Sequence, residues 1–287
     1  MPAGAGRLSR RLKKLGLIAG GGQLPIELAN DCVAAERPLF VVRLRGFAEP
    51  ELARFPGAEH GLAELGHIFE TLKREGCQAV CFAGMVKRPD FSALKPDFRG
   101  LRSLPGAISA ARRGDDQLLR YILGEFEAEG FEIEGADLAS AGLSIGLGPL
   151  GRLEPSQDHL VDIELARRVA AAIGVLDIGQ AAVVVRGVVL AVEAQEGTDA
   201  MLARCLELPS NLRAAQGENA GVLVKWPKPI QDRRVDLPVV GVRTVEGAAA
   251  AGLAGIALQV GGALLIDRTA VIEAADRLGL YVVGLPA

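Results

Sequence analysis

The chain has only four cysteines in 287 residues, scattered at Cys32, Cys77, Cys81 and Cys205. Cys77 and Cys81 lie close together, but no second cysteine or histidine pair completes a zinc site, so all four read as reduced, mostly buried thiols. His60, His67 and His159 are the only histidines, and their spacing suits neither zinc nor a nucleophile relay. No stretch approaches the about 20 uninterrupted apolar residues of a spanning helix. Residues 1–14 lack the apolar middle of a signal peptide, so the expected location is the cytoplasm. An excess of one charge is missing as well. The 32 lysines and arginines stand against 35 aspartates and glutamates, a net charge of -3, which excludes a nucleic-acid partner held by bulk electrostatics. No serine sits in a Gly-x-Ser-x-Gly elbow or has an identifiable partner for acyl transfer.

What remains is organised as alternating strands and helices. The length suits two domains. Residues 1–9, rich in Gly, Pro and Ala, read as a leader outside the fold. Residues 15–19 form an apolar run that ends in Gly20-Gly21-Gly22, and Pro25 opens a periodic stretch to Ala35, which is strand, glycine turn, helix. Residues 38–42 and 78–82 are further strands and 68–75 a helix, so the first half reads as a parallel, Rossmann-like sheet. Leu118, Leu119, Ile122 and Phe126 place a helix over 115–129, capped by Asp115 or Asp116. Glycines and prolines from 139 to 155 predict an interdomain connection. The expected domains are therefore 10–140, a linker at 141–155, and 156–287. In the second half a helix is expected at 158–173, a hairpin at 181–185 and 188–192 around Arg186-Gly187, a helix at 197–206, and strands at 222–224 and 239–242. A Gly/Ala-rich helix near 245–252 and strands at 256–259 and 263–266 complete a mixed α/β domain. The fold class is α/β in both halves.

Three segments carry candidate chemistry. The first is the run from Gly221 to Pro238, which holds the single tryptophan, Trp226, and a dense set of charges. Pro227 and Pro229 forbid continuation of the strand, because each lacks a ladder donor and fixes φ, so the charges fall on a loop held rigid by prolines. There Lys225 and Lys228 can meet phosphate oxygens, Asp232 or Asp236 can hold a divalent cation, and Arg233 or Arg234 can clamp an anion. A solvated, salt-bridged loop is the competing reading. The second segment pairs two strand exits. Gly20, Gly21, Gly22, Gln23 and Leu24 follow one strand, and Gly84, Met85, Lys87 and Arg88 follow another, at the carboxyl edge where open parallel sheets bind ligands. The first exit is neither GxGxxG nor a Walker loop, and the acid a dinucleotide's ribose requires is not evident near 41–45. It is read as a ligand contact without a dinucleotide, against a tight structural turn. The third segment gathers Glu193, Glu196, Thr198 and Asp199 ahead of a helix. These are either caps or, with Asp232 and Asp236, oxygen ligands for magnesium.

Taken together, Gly16 to Pro25, Ala83 to Pro89, Glu193 to Asp199, and Lys225 with Pro227 to Pro238 resemble the LpxI-type UDP-2,3-diacylglucosamine pyrophosphatases of lipid A biosynthesis. The likeness runs from about residue 14 to the end, with Gln231-Asp232-Arg233-Arg234-Val235-Asp236-Leu237-Pro238 as its most specific string. Trp226 departs from the small residue expected there. The resemblance implies a two-domain, magnesium-dependent hydrolase that makes UMP and 2,3-diacylglucosamine 1-phosphate. It implies Asp232, Lys225 and Arg233 as catalytic residues, and Asp232, Glu196 and Asp199 as metal ligands. It also implies substrate contacts from Gly20, Gly21, Gly22, Gln23, Leu24, Gly84, Met85, Lys87, Thr198 and Lys228. The expected partners are the lipid-linked nucleotide sugar, the surface of the inner membrane and a second copy of the chain. No amphipathic helix in the sequence is basic enough to name as a membrane anchor. Two rivals stand beside this reading: a non-catalytic nucleotide-sugar or lipid carrier, and a dinucleotide-dependent oxidoreductase.

Overall fold

The computed structural model describes residues 13–87, 90–209, 211–213, 218–229 and 232–287. The expected leader, Arg88 and Gln231 lie outside the described residues. The chain divides into two compact units, Met1–Glu134 and Gly135–Ala287. Among the described residues no helix is long and apolar enough to cross a membrane.

In the first unit five strands form a parallel sheet: β1 (Leu15–Ala19), β2 (Leu39–Leu44), β3 (Gly57–His60), β4 (Ala79–Ala83) and β5 (Glu132–Ile133). Their order is β3-β2-β1-β4-β5, the Rossmann arrangement, with the direction of winding reversing between β1 and β4. β1 is central, paired with β2 and β4, and buried at every position, which explains its unbroken apolar run. Gly16 leaves room there for Leu72, whose Cδ2 would stand 2.5 Å from a Cβ at that position. Helices α1 (Gln23–Ala34), α2 (Leu65–Arg74), α3 (Phe98–Ala111) and α4 (Asp115–Ala128) supply the crossovers. Phe126 of α4 meets Phe69 of α2 at 4.8 Å and Phe82 of β4 at 4.9 Å, both edge to face, which fixes α4 against the sheet. The cap of α4 differs from expectation. Gly114 is its N-cap, with no side-chain cap bond, and Asp115 and Asp116 sit in the first turn, where the helix dipole favours them. β3, β5 and α3 are elements that the sequence periodicity did not reveal.

The second unit holds α5 (Ala136–Ala139), β6 (Gly148–Pro149), α6 (Gln157–Val175), β7 (Ala181–Val185), β8 (Val188–Val192), α7 (Gly197–Leu206) and β9 (Val222–Lys225). These are followed by β10 (Val239–Val240), α8 (Val242–Ala250), β11 (Gly255–Gln259), β12 (Leu264–Leu265), α9 (Arg268–Leu278) and β13 (Tyr281–Leu285). Its main sheet runs β6-β13-β11-β9-β7-β8, parallel through β9, β11 and β13 and antiparallel at both edges. The sheet is therefore mixed, as expected. One face packs Leu223, Leu258 and Val282 against Leu202, Val245 and Val271, while the other packs Val222, Val224 and Ala257 against Ile163, Ala166 and Ala170 of α6. The hairpin turn has φ of 50° at Arg186 and 76° at Gly187, the signature of a type I′ turn. Both of its N–H groups donate to the buried Asp162 carboxylate, at 2.8 and 2.7 Å, which ties the hairpin to α6. Residues 141–155, read from composition as a connection, contain β6, whose Gly148 pairs with Gly284. α9 and β13 had no counterpart in the sequence reading.

Candidate active site

β9 delivers Lys225 to the carboxyl end of the second unit's sheet, the edge where parallel strands leave room for ligands. Lys225 is only 6% exposed, and its Nζ donates to the Val239 carbonyl at 2.9 Å. Burial pulls its pKa down, while the carboxylates of Glu193 and then Asp199 pull it back up. Glu193 lies one residue beyond β8 and is equally buried. Its Oε1 accepts from the Thr198 hydroxyl at 2.5 Å and its Oε2 from the Gln180 N–H at 3.1 Å. The backbone allows this approach because position 179 is glycine: a Cβ there would lie 2.0 Å from the Glu193 carbonyl oxygen. Thr198 thus reaches back to Glu193 and does not cap α7, whose N-cap is Glu196 without a side-chain cap bond. The result is a buried group in which the Thr198 hydroxyl is bonded to Glu193 and Lys225 lies within electrostatic reach of that carboxylate. The sequence indicated Lys225 and Thr198 but left Glu193 as one of several acids. The signal for it was its position at the end of a strand that alternates toward the core.

The bond from Lys225 to Val239 closes the neck of the loop 226–238. Trp226 points away from this group into the core beneath α6, with the Arg167 guanidinium 5.6 Å from its ring. Its N–H donates to Gln180 O at 2.8 Å. Lys228 is held by Asp177 at 2.7 Å and packs against Gly174, where a Cβ would stand 3.3 Å from Lys228 Cα. Asp232 organises the far side of the loop. Its Oδ1 accepts from Arg234 N and Nε, its Oδ2 from Arg234 Nη2 at 2.7 Å, and its carbonyl from Val235 and Asp236 N–H. Arg233 beside it is exposed.

The carboxylates expected to hold magnesium are each matched to an arginine: Asp232 to Arg234, Glu196 to Arg204 at 2.7 Å, and Asp199 to Arg243 at 2.8 Å. Among the described residues no three acidic, histidine or cysteine side chains form a group that could hold a metal ion. The donor set therefore does not fit a preformed protein cage. Sharing of magnesium between one or two carboxylates and substrate phosphates requires no such cage.

In the first unit the two glycine-rich exits are laced together. Gly21 N donates to Met85 O at 2.9 Å and Met85 N to Gly21 O at 2.8 Å. A Cβ at Gly20 would lie 2.8 Å from Met85 O, and one at Gly84, where φ is 92°, would lie 2.7 Å from Gly21 O. Close backbone approach alone demands both glycines. Gly22 differs: at φ 90° it faces open space, and its N–H donates to Glu49 at 2.9 Å. Gln23, Met85 and Lys87 are exposed and Leu24 is half-buried. The turn thus presents Gly22, Gln23 and Lys87 at the switch point between β1 and β4.

Comparison with known proteins gives this arrangement a family. A solved structure described as CobK precorrin-6A reductase covers 96% of this chain and 88% of its own, with 14% identity and a TM-score of 0.34, a likeness that bears on neither fold nor activity. The UDP-2,3-diacylglucosamine pyrophosphatase LpxI of Caulobacter vibrioides is 58% identical over 274 residues, 96% of this chain and 98% of that protein. Residues 14–143 match the model of the LpxI N-terminal domain and residues 146–283 that of the LpxI C-terminal domain. Over nearly its whole length, then, the chain belongs to the LpxI family.

Proposed function

We propose that this protein hydrolyses the pyrophosphate of UDP-2,3-diacylglucosamine to UMP and 2,3-diacylglucosamine 1-phosphate, with magnesium, by attack of water at the α-phosphorus. The observation that carries the reading is the 58% identity to the Caulobacter pyrophosphatase across 96% of the chain. The second unit supplies residues suited to the step. Water's oxygen bonds to the α-phosphorus and the bond from that phosphorus to the bridging oxygen breaks. The bridging oxygen leaves on the sugar 1-phosphate with the electron pair, and the proton of the attacking water passes to solvent.

Exposed Arg233 clamps the diphosphate, and Lys225, whose charge Glu193 favours against the cost of burial, adds positive potential. Asp232, with Asp199 or Glu196 as the second carboxylate, would hold magnesium. Magnesium, when bound, neutralises charge on the diphosphate. The test is release of UMP by the parent protein and by Asp232→Ala, with magnesium and with chelator. The expected result is magnesium-dependent turnover that falls at least about a hundredfold in the variant. Tight substrate binding without turnover by the parent would instead identify a carrier.

A further inference from the structure

α3 has its amphipathicity reversed. Its inner face is built from small residues, Gly100, Ser103, Ala107, Ala110 and Ala111, all buried. The fit is close: a Cβ at Gly100 would stand 1.8 Å from Ala63 O, and one at Gly106 2.5 Å from the Tyr121 hydroxyl. The outer face carries the large apolar side chains. Phe98 is 79% and Leu101 57% exposed. Leu101, Leu104, Pro105 and Ile108, with Ser109 and Arg112, line a cavity of about 400 Å³ on that face. A helix of a soluble protein ordinarily turns such residues inward, and a contiguous exposed patch of them marks a binding surface.

Charge decides the partner. From Phe98 to Arg113 there are four arginines and no acid, in a chain of net charge -3. Arg99 is engaged by Glu125 and Glu129, each at 3.3 Å, which leaves Arg102, Arg112 and Arg113 exposed beside the apolar residues. Apolar side chains flanked by guanidinium groups match an anionic bilayer: acyl chains accept the first and headgroup phosphates the second. A second copy would bring the same positive patch against itself in a two-fold contact, which like charges disfavour.

We propose that the outer face of α3 docks this protein on the surface of an anionic lipid bilayer, with Phe98, Leu101 and Ile108 entering the acyl boundary and Arg102, Arg112 and Arg113 on headgroup phosphates. The face is argued from α3 alone; its use, bringing the enzyme to a diacylated substrate, rests on the function proposed above. The test is co-sedimentation with substrate-free vesicles of phosphatidylcholine, with and without phosphatidylglycerol. The parent is expected to pellet with the anionic vesicles, and less so at high salt. Since each arginine near the surface contributes about a fivefold factor, Arg102→Gln/Arg112→Gln/Arg113→Gln is expected to weaken binding on the order of a hundredfold. Phe98→Ser/Leu101→Ser removes only exposed side chains and is expected to abolish pelleting with unchanged circular dichroism. Both variants should hydrolyse detergent-dispersed substrate as the parent does, so vesicle binding and catalysis fail separately. Absence of pelleting, or pelleting unchanged in both variants, overturns the proposal. A dimer seen by sedimentation equilibrium and lost in Phe98→Ser/Leu101→Ser also overturns it, by giving the face to a second copy.

Discussion

Burial opposes the charge on Lys225, and the equally buried carboxylate of Glu193 offsets that cost in part. Glu193→Gln removes the carboxylate that favours the Lys225 charge and that accepts from Thr198 and Gln180, so it is expected to cost about 2 kcal/mol in urea denaturation. Lys225→Met in the same background should recover part of that loss, with a coupling of at least about 1 kcal/mol; strict additivity would show that the two charges do not sense each other. The pH dependence has a definite sign. Because the folded-state pKa of Lys225 lies below the unfolded one, the unfolded chain binds more protons between the two values. Parent stability relative to Lys225→Met should therefore rise as pH climbs from neutral toward the ordinary lysine value of 10.5. At this scale the sequence was partly readable. Lys225 stood out because it ends an apolar strand, and Asp232 because of its charged neighbours. The pairing of Asp232 with Arg234 and the burial of Glu193 depend on how loop and strand pack, which composition does not encode.

Elements were legible where periodicity was strong. The two arms of the hairpin and α7 fall on the expected residues, because β-branched runs around Arg186-Gly187 admit few other conformations. α3 was not legible. Gly100, Pro105 and Gly106 interrupt it, and Pro105 removes one of its internal hydrogen bonds. What starts the helix is Asp97, whose Oδ1 accepts from Gly100 N at 2.7 Å and whose Oδ2 accepts from His67 N, in α2, at 2.8 Å. One carboxylate thus satisfies the N-termini of two helices. Asp97→Ala is expected to cost about 2 kcal/mol in urea denaturation, roughly two caps' worth, and Asp97→Asn about half as much, since its single carbonyl oxygen serves only one of the two donors. Equal losses in the two variants would show that only one bond matters. β5 and β6 span two residues each and are fixed by their partners in the sheet, so no local pattern announces them, whereas β10 and β12 lie within the strands expected at 239–242 and 263–266 but are two residues long.

Across the whole molecule, the α/β class of both units and the parallel sheet of the first followed from the alternation of apolar strands with helices, whereas the order of its five strands did not, because β3 and β5 carry no pattern of their own. The boundary was harder to read, because glycine and proline in 141–155 serve strand pairing as well as connection: Gly284 must lack a Cβ, which would stand 1.9 Å from Gly146 O. In the function proposed above, the loop that follows Lys225 in the second unit brings Asp232 and Arg233 to the diphosphate. Hydrolysis of UDP-2,3-diacylglucosamine in water enriched in heavy oxygen tests it most directly. The expected result is magnesium-dependent turnover with the label in the phosphate of UMP. Label in 2,3-diacylglucosamine 1-phosphate, or turnover undiminished by chelator and by Asp232→Ala, would contradict it.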